Sequence, residues 1–595
     1  MGATPYVDDS GSGVTFRVWA PFASSVAVSG EFNDWSSAGT PLYPEGGGNW
    51  SADVPGALIS QRYLLYVPSR SDAPWRMDPY AHGVARGVGH RVVGVISPSR
   101  VIHVDAGYSM PPWNELVVYQ VNVRSLVGGH DPRPWARVLV RLDALRDLGI
   151  NVIELVGLRE GVADEPGAAE LPYLFAVSEA LGGRDGLRTL VNEAHLRGIA
   201  VFLNVEYSHL AGTAGDMWRF DGYSAGADSG GIYVYEDWRG RTPWGATRFD
   251  YGRPQVRDYL RDNALGWVHD CFVDGLRWSS VRWIRNVKGR DNDPASDLAD
   301  GWSLMQWING QLREQQPWKL SVAADLHDSE RITRDASEGG AGFHAQWSGR
   351  FASSVRAALI EWDDASRDVD AVAVAIVQTY NECAHQRVVF TEAFEPGTSF
   401  ERRLPECIHP GKADSWESKK RAALGAALVL TAPGIPMLLA GQEFLAWDAF
   451  DPLQSLDWSQ ADRFSGFVTL HRDLIRLRRN WFDTTRGLRG GGARAFHVDG
   501  GAKFVALHRW DKGGPRDDVV VALNFSTYGR SAMRIGLPRP GRWRVRYNGD
   551  WRGYDSDFGD WVSGDVDADG IEWDGMPVSA EISVGPYTAL VLSQD

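Results

Sequence analysis

The stretch "GLRTLVNEAHLRGIAVFLNVEY", residues 186–207, carries two periods in succession. Leu187, Leu190, Val191 and Ala194 recur at i, i+3, i+4 and i+7, the spacing of one helical face. Gly198 stands where a left-handed residue ends a helix, and the apolar run "AVFLNVEY" at 200–207 follows at once. A helix that turns directly into a buried strand is half of a βαβ unit, and such units build parallel sheets.

The same alternation begins near residue 113 and recurs along the middle of the chain. The strand candidates are "LVVYQVNV", "NVIELVG", "AVFLNVEY", "DGLRWSS", "LSVAADL", "GFHAQW", "RVVFTE" and "IPMLLAG". Eight strands with helices between them predict an α/β fold, a closed (β/α)8 TIM barrel over residues 106–485, whose chemistry belongs at the carboxyl ends of the strands. The longest apolar run, "AALGAALVLTAPGIPMLLAG" at 422–441, is broken by Pro433 and Pro436, so it reads as helix, turn and buried strand rather than a membrane span. The segment at about 205–255 is rich in glycine and aromatics and too long for a plain connection; it reads as an excursion over the barrel mouth.

Outside the barrel the period becomes two. "VTFRVWAP", "SVAVSGEF", "NWSADV" and "QRYLLYV" predict an amino-terminal β-sandwich over 1–105, and "AKFVALHRW", "DVVVALNFS", "GRWRVRYNG" and "YTALVLS" a carboxyl-terminal one over 486–595. The 26 tryptophans exceed what an ordinary chain carries, and they point to large packed cores. Trp35 and Trp50 of the first unit are accordingly read as core, with a flat platform for sugar rings as the alternative.

A net charge of −15 without a dense run of Lys or Arg argues against nucleic acid as a partner. Cys271, Cys383 and Cys407 are odd in number and lack a CxxC pairing, which argues against a disulfide framework and a thiolate zinc site. The start "MGATPYVDDSGSGVTFRVWAP" has no basic stretch followed by an apolar core, and Tyr6 occupies the place where a myristoylation signal needs Ser or Thr. The expectation is a cytoplasmic protein without a membrane partner. The "GGG" runs at 46–48 and 490–492 lack the lysine and following helix of a phosphate-binding loop, so no cofactor is expected.

Several stretches resemble the α-amylase family, glycoside hydrolase family 13, and within it the branching-enzyme and trehalohydrolase-like members. They are "FRVWAPFASSVAVSGEFNDW", "GGIYVYEDWRGRTPWGATRFDYGRPQVRDYLRDNALGWV", "TAPGIPMLLAGQEFLAWDAF", "VVVALNFS" and "GRWRVRYNGDW". The first of them resembles the starch- and glycogen-associated sandwich module. Such enzymes use a nucleophile and a proton donor about 5–5.5 Å apart around an oxocarbenium-like transition state. By the resemblance, the nucleophile follows "GLRxD", but "GLRWS" keeps Arg277 and puts Ser279 there. The donor ends "AED", but "AAD" puts Ala324 there beside Asp325. The third carboxylate ends "TESHD", but "TEAFE" gives Phe394 and Glu395.

The surrounding pocket departs as well. "NVEYSH" stands for "DVVYNH", so Asn204 and Ser208 replace an Asp and an Asn while His209 remains. "GAAELPYLFAVS" puts Ala169 where the resemblance implies a stacking aromatic and retains Tyr173. Relatives that bind calcium use the Asn replaced by Ser208, so no metal is expected.

These departures imply a catalytically inactive member, a pseudoenzyme of the branching type. It would bind an α-glucan such as glycogen or a maltooligosaccharide, with His209, Arg277 and Tyr173 as retained sugar-pocket residues, or a protein partner in glucan metabolism. The competing reading is an active hydrolase or glucanotransferase whose acids have moved to Glu206 and Glu395. Glu206 lies two residues past Asn204, on the same side of an extended strand. A serine nucleophile, Ser279 with His209 as its base, is weaker, because a hydroxyl needs a positioned base and cannot stabilise positive charge as a carboxylate does. Asp274, Asp325 and Glu392 are read as residues that orient loops. A purely structural subunit without sugar contact is the third reading.

Overall fold

The helix expected from the opening stretch spans Gly183–His195, with Leu187, Leu190, Val191 and Ala194 all buried. Gly198 has φ +70°, a left-handed conformation that a Cβ would strain, and it turns the chain into the strand Ala200–Glu206, every residue of which is buried. The structure is a computed structural model. It describes residues 1–8, 11–36, 38–68, 74–86, 92–98, 107–123, 126, 134–158, 173–178, 181–210, 216–395, 398–448 and 456–595.

Eight parallel strands close into a barrel in chain order. They are β1 (Val118–Asn122), β2 (Val152–Val156), β3 (Ala200–Glu206), β4 (Gly275–Ser279), β5 (Leu320–Ala323), β6 (Ala345–Trp347), β7 (Arg387–Val389) and β8 (Ile435–Leu439). Each falls inside one of the eight apolar runs. Val118 of β1 pairs with Val152 of β2 and with Met437 of β8, so the last strand returns to the first. A parallel strand covered on both faces must be apolar almost throughout, and this is why the runs lack a period of two. The apolar run at 422–441 becomes the end of the helix Trp416–Thr431 and then β8.

Contacts divide the chain into two compact units, and the division passes through the barrel. In the first unit, Met1–Tyr108 with Gly157–Leu196 and Leu203–Ser321, the amino-terminal strands form one sheet, antiparallel throughout this region. The short strand Val177–Ser178 adds to its edge, parallel to Gly83–Arg86. The described part of the excursion is anchored on this sheet: Arg76 Nε donates to Phe220 O at 3.1 Å, and the Phe22 amide donates to Asp221 Oδ2 at 3.0 Å.

The second unit holds the carboxyl-terminal sheets, of six and two strands, around Phe504, Val520, Ile535, Trp543 and Leu592. Three buried arginines satisfy the carbonyls that the helix Trp416–Thr431 and its turn leave open. Arg509 donates to Thr431 O, Arg478 to Ala432 O at 2.9 Å, and Arg387 to Pro433 O at 2.9 Å. The negative end of the helix dipole favours cations at that place. Lys420, fully buried on the same helix, donates to Asp550 Oδ1 at 2.6 Å and joins barrel to sheet.

Candidate active site

The carboxyl-terminal parts of β3 and β4 contribute to one polar chain. Arg277 is fully buried and its Nη1 donates to Ser279 Oγ at 2.6 Å; Ser279 Oγ in turn donates to Asn204 Oδ1 at 2.7 Å. The one hydroxyl proton thus points at an amide oxygen, which is no base. A serine nucleophile needs its proton directed at a group that can take it, and Asn204 Oδ1 is not such a group.

At and just past the end of β3 lies a second group. Glu206 is 8% exposed, and its Oε1 accepts the Ser208 amide at 2.8 Å. Glu206 is the last residue of the strand, buried rather than solvated. His209 Nδ1 lies 2.7 Å from Ser208 Oγ and 3.8 Å from Glu206 Oε1. The His209 ring stacks on Trp244 of the excursion, with centroids 4.1 Å apart and planes 8° apart.

In the second unit, Ala324 follows β5 and is buried without a polar group to offer. Asp325 is fully buried, 3.4 Å from His327 Nδ1. Glu392 is committed elsewhere: it accepts from Arg403 Nη1 at 3.1 Å and from the Leu404 amide at 2.8 Å, capping the short helix Leu404–Ile408. Glu395 is 3% exposed. Its neighbour Phe394 is tied to the barrel, because the Phe394 amide donates to Gln120 Oε1 at 2.5 Å while Gln120 Nε2 donates to Glu154 Oε1 at 2.8 Å.

Asp274, at the amino end of β4, is 1% exposed between His195 Nε2 at 2.8 Å and Lys319 Nζ at 2.9 Å. Burial pushes its carboxyl up, but the hydrogen bonds and charges of His195 and Lys319 prevail and hold it below the usual carboxylate range. It fastens a helix to the barrel. Ser280, Leu326 and Asp328, just past the ends of β4 and β5, adopt φ of 54°, 68° and 57°. Backbone strain of this kind costs of order 1–3 kcal/mol each and gathers at functional sites.

One retained pocket residue takes an unexpected place. Tyr173 is 4% exposed in an apolar cluster with Leu64, Met77 and Val84, and its hydroxyl donates to Asp216 Oδ2 at 2.9 Å. A ring so enclosed presents no open face for stacking, which corrects the expectation that Tyr173 contacts a sugar. Ala169 lies outside the described residues. Trp35 is 39% exposed with φ 55°, and Trp50 is half-buried with its Nε1 donating to Ala20 O at 3.0 Å. The core reading therefore fails for Trp35. The links from His209 to Trp244, Tyr173 to Asp216 and Gln120 to Phe394 carried no sequence signal, since their partners are 35 to 274 positions apart.

The class is a (β/α)8 barrel protein with polar and strained residues at its strand ends, flanked along the chain by all-β units. Residues 1–81 match the family model for carbohydrate-binding module 48 (isoamylase N-terminal domain), and residues 497–595 match that for the alpha amylase C-terminal all-beta domain. The 1,4-alpha-glucan branching enzyme GlgB of Mycobacterium bovis (strain BCG / Pasteur 1173P2) is 29% identical over 98% of this chain and 80% of its own length. That of Dechloromonas aromatica (strain RCB) is 28% identical over 98% and 96%. Among solved structures, a pullulanase from Anoxybacillus sp. LM18-11 complexed with maltotetraose superposes with a TM-score of 0.72 at 18% identity, covering 100% of this chain and 87% of its own. A putative alpha amylase from Salmonella typhimurium gives 0.71 at 17% identity, covering 100% and 99%. The two module matches and the full-length similarity to branching enzymes support an α-amylase-family, branching-enzyme-like chain.

Proposed function

We propose that this chain is a catalytically silent branching-type protein that binds an α-glucan, or a protein acting on one, in the cytoplasm. One observation carries the reading: Ser279, at the nucleophile position, spends its proton on Asn204 Oδ1 and accepts from Arg277. An apolar methyl at Ala324 supports it, since a missing general acid alone is worth about a hundred- to ten-thousand-fold in rate. The match of residues 1–81 to a carbohydrate-binding module and the exposed Trp35 favour retained glucan binding over a purely structural role.

A second reading has its own support. Glu206 is buried beside His209 at the end of β3, where a relocated acid would stand, and Glu395 is buried after β7. Prolonged incubation of concentrated protein with amylose and maltooligosaccharides, following new reducing ends and new branches, separates the two. The silent reading expects no turnover, together with measurable retention on immobilised glycogen. Turnover that disappears in a Glu206→Gln, Glu395→Gln double variant would overturn it.

A further inference from the structure

We propose that Trp362, on the surface of the second unit, is the floor of a secondary α-glucan site, separate from the strand ends. The inference rests on the glucan-binding reading given above and places one sugar ring of that ligand. Trp362 follows the helix Gly349–Ile360, whose 12 residues carry the chain about 18 Å back from the carboxyl end of β6. It shares no residue with the polar groups at the strand ends.

The first observation is an open aromatic face on a fixed support. Trp362 is 56% exposed. Against its ring lies Arg421, 2% exposed, with the guanidinium 5.3 Å from the centre of the Trp362 ring and 4.7 Å from that of Tyr587. Because Arg421 is buried, it covers the inner face of the indole and leaves the outer face to solvent. Arg421 Nη1 donates to Glu361 O at 3.1 Å, and its Nη2 donates to Tyr587 Oη at 3.2 Å. On the other side of Trp362, Asp364 accepts from Tyr587 Oη at 2.7 Å, from Arg367 Nη2 at 2.9 Å and from the Thr527 amide at 2.6 Å. A ring presented on a backbone held from both sides binds without the ordering cost that a mobile loop would carry.

The second observation is a polar rim. His409 meets Trp362 edge to face, with ring centroids 5.1 Å apart and planes at 69°. Its Nδ1 lies 2.9 Å from Ser415 Oγ, which orients the imidazole, and its Nε2 has no hydrogen-bond partner among the described residues. Glu417 Oε2 lies 3.7 Å from His409 Nδ1, and both side chains reach solvent, at 34% and 24% exposure. A flat apolar face bordered by an imidazole and a carboxylate fits a pyranose ring: its C–H face packs on the indole, and its hydroxyls donate and accept at the rim.

Charge selects an uncharged ligand. Segments 361–366 and 409–417 carry Glu361, Asp363, Asp364, Asp414 and Glu417, against Lys412 as their one lysine or arginine. An anion is repelled from such a rim, whereas a neutral polyhydroxylated chain is not.

Incorporating fluorotryptophan into the full chain and titrating it with maltoheptaose tests the site. The Trp362 fluorine resonance, assigned by its loss in Trp362→Phe, is expected to shift saturably. In a Trp35→Ala background, affinity electrophoresis through glycogen is expected to show an apparent Kd raised about tenfold by Trp362→Ala, a change of ~1.4 kcal/mol, and raised less by His409→Ala, each with an unmoved urea midpoint. If the parent binds glycogen while the Trp362 resonance stays still, or while Trp362→Ala binds as its background does, this site is overturned and the glucan reading stands. If the parent binds no glucan by either measure, both are overturned.

Discussion

Replacing Ser279 by Asp and Ala324 by Glu puts carboxyl groups back at the two positions where the family keeps them. Ser279 Oγ already accepts from Arg277 Nη1 at 2.6 Å, so a carboxylate there meets a buried cation and ionises readily. The adjustment falls on Asn204. Its Oδ1 now accepts from the Ser279 hydroxyl at 2.7 Å and would instead face a carboxylate oxygen; a flip of the amide presents Nδ2 and restores a donor. One neutral hydrogen bond, worth about 0.5–1.5 kcal/mol net, is exchanged for charge-assisted ones worth about 1.5–3 kcal/mol, so Ser279→Asp folds at least as well as the parent. Alone it gives no turnover, because Ala324 supplies no proton. Adding Ala324→Glu restores a general acid, a gain of about a hundred- to ten-thousand-fold over Ser279→Asp alone. The assay counts new reducing ends and branches formed from amylose, with urea denaturation as the control for folding. The reasoning is refuted if Ser279→Asp alone turns over as fast as the double variant, since a proton donor would then already exist elsewhere.

Three further outcomes are expected. Glu392→Gln breaks a buried pair with Arg403 and costs about 3–5 kcal/mol in urea denaturation, part of which Arg403→Met recovers in the double variant; an unchanged midpoint would deny Glu392 its structural role. Burial pushes the His471 imidazole down to about 4, against about 6.5 in the unfolded chain, so the unfolded state takes up the proton first. The stability this contributes is complete above pH 6.5 and is lost as pH falls toward 4, by about 3 kcal/mol at most, and His471→Gln should flatten the profile in that window. Trp35→Ala should reduce retention on immobilised glycogen several-fold without moving the urea midpoint, because Trp35 is 39% exposed; undiminished retention would remove it from the glucan surface.

The barrel was legible because burial on both faces forces continuous apolar runs, and all eight runs became strands of it. The helix before β3 was equally plain, down to Gly198 in its left-handed turn. Ser279, Ala324 and Glu395 could be named from their neighbours in sequence, since each stands in a motif that ends or closely follows a strand. What these side chains touch depended on residues far along the chain. The proton of Ser279 is directed by Asn204, 75 positions earlier, and the Tyr173 ring is enclosed by Leu64, Met77 and Val84 of the amino-terminal sheet. Periodicity reports which face of an element is buried, but hydrogen bonds and ring contacts between elements form only when the barrel closes and the sheet packs on it. The sequence alone therefore determined which residue types stand at the strand ends, Ser279, Ala324 and Glu395 among them; the tertiary structure decided what the polar groups bond to, a matter of distance.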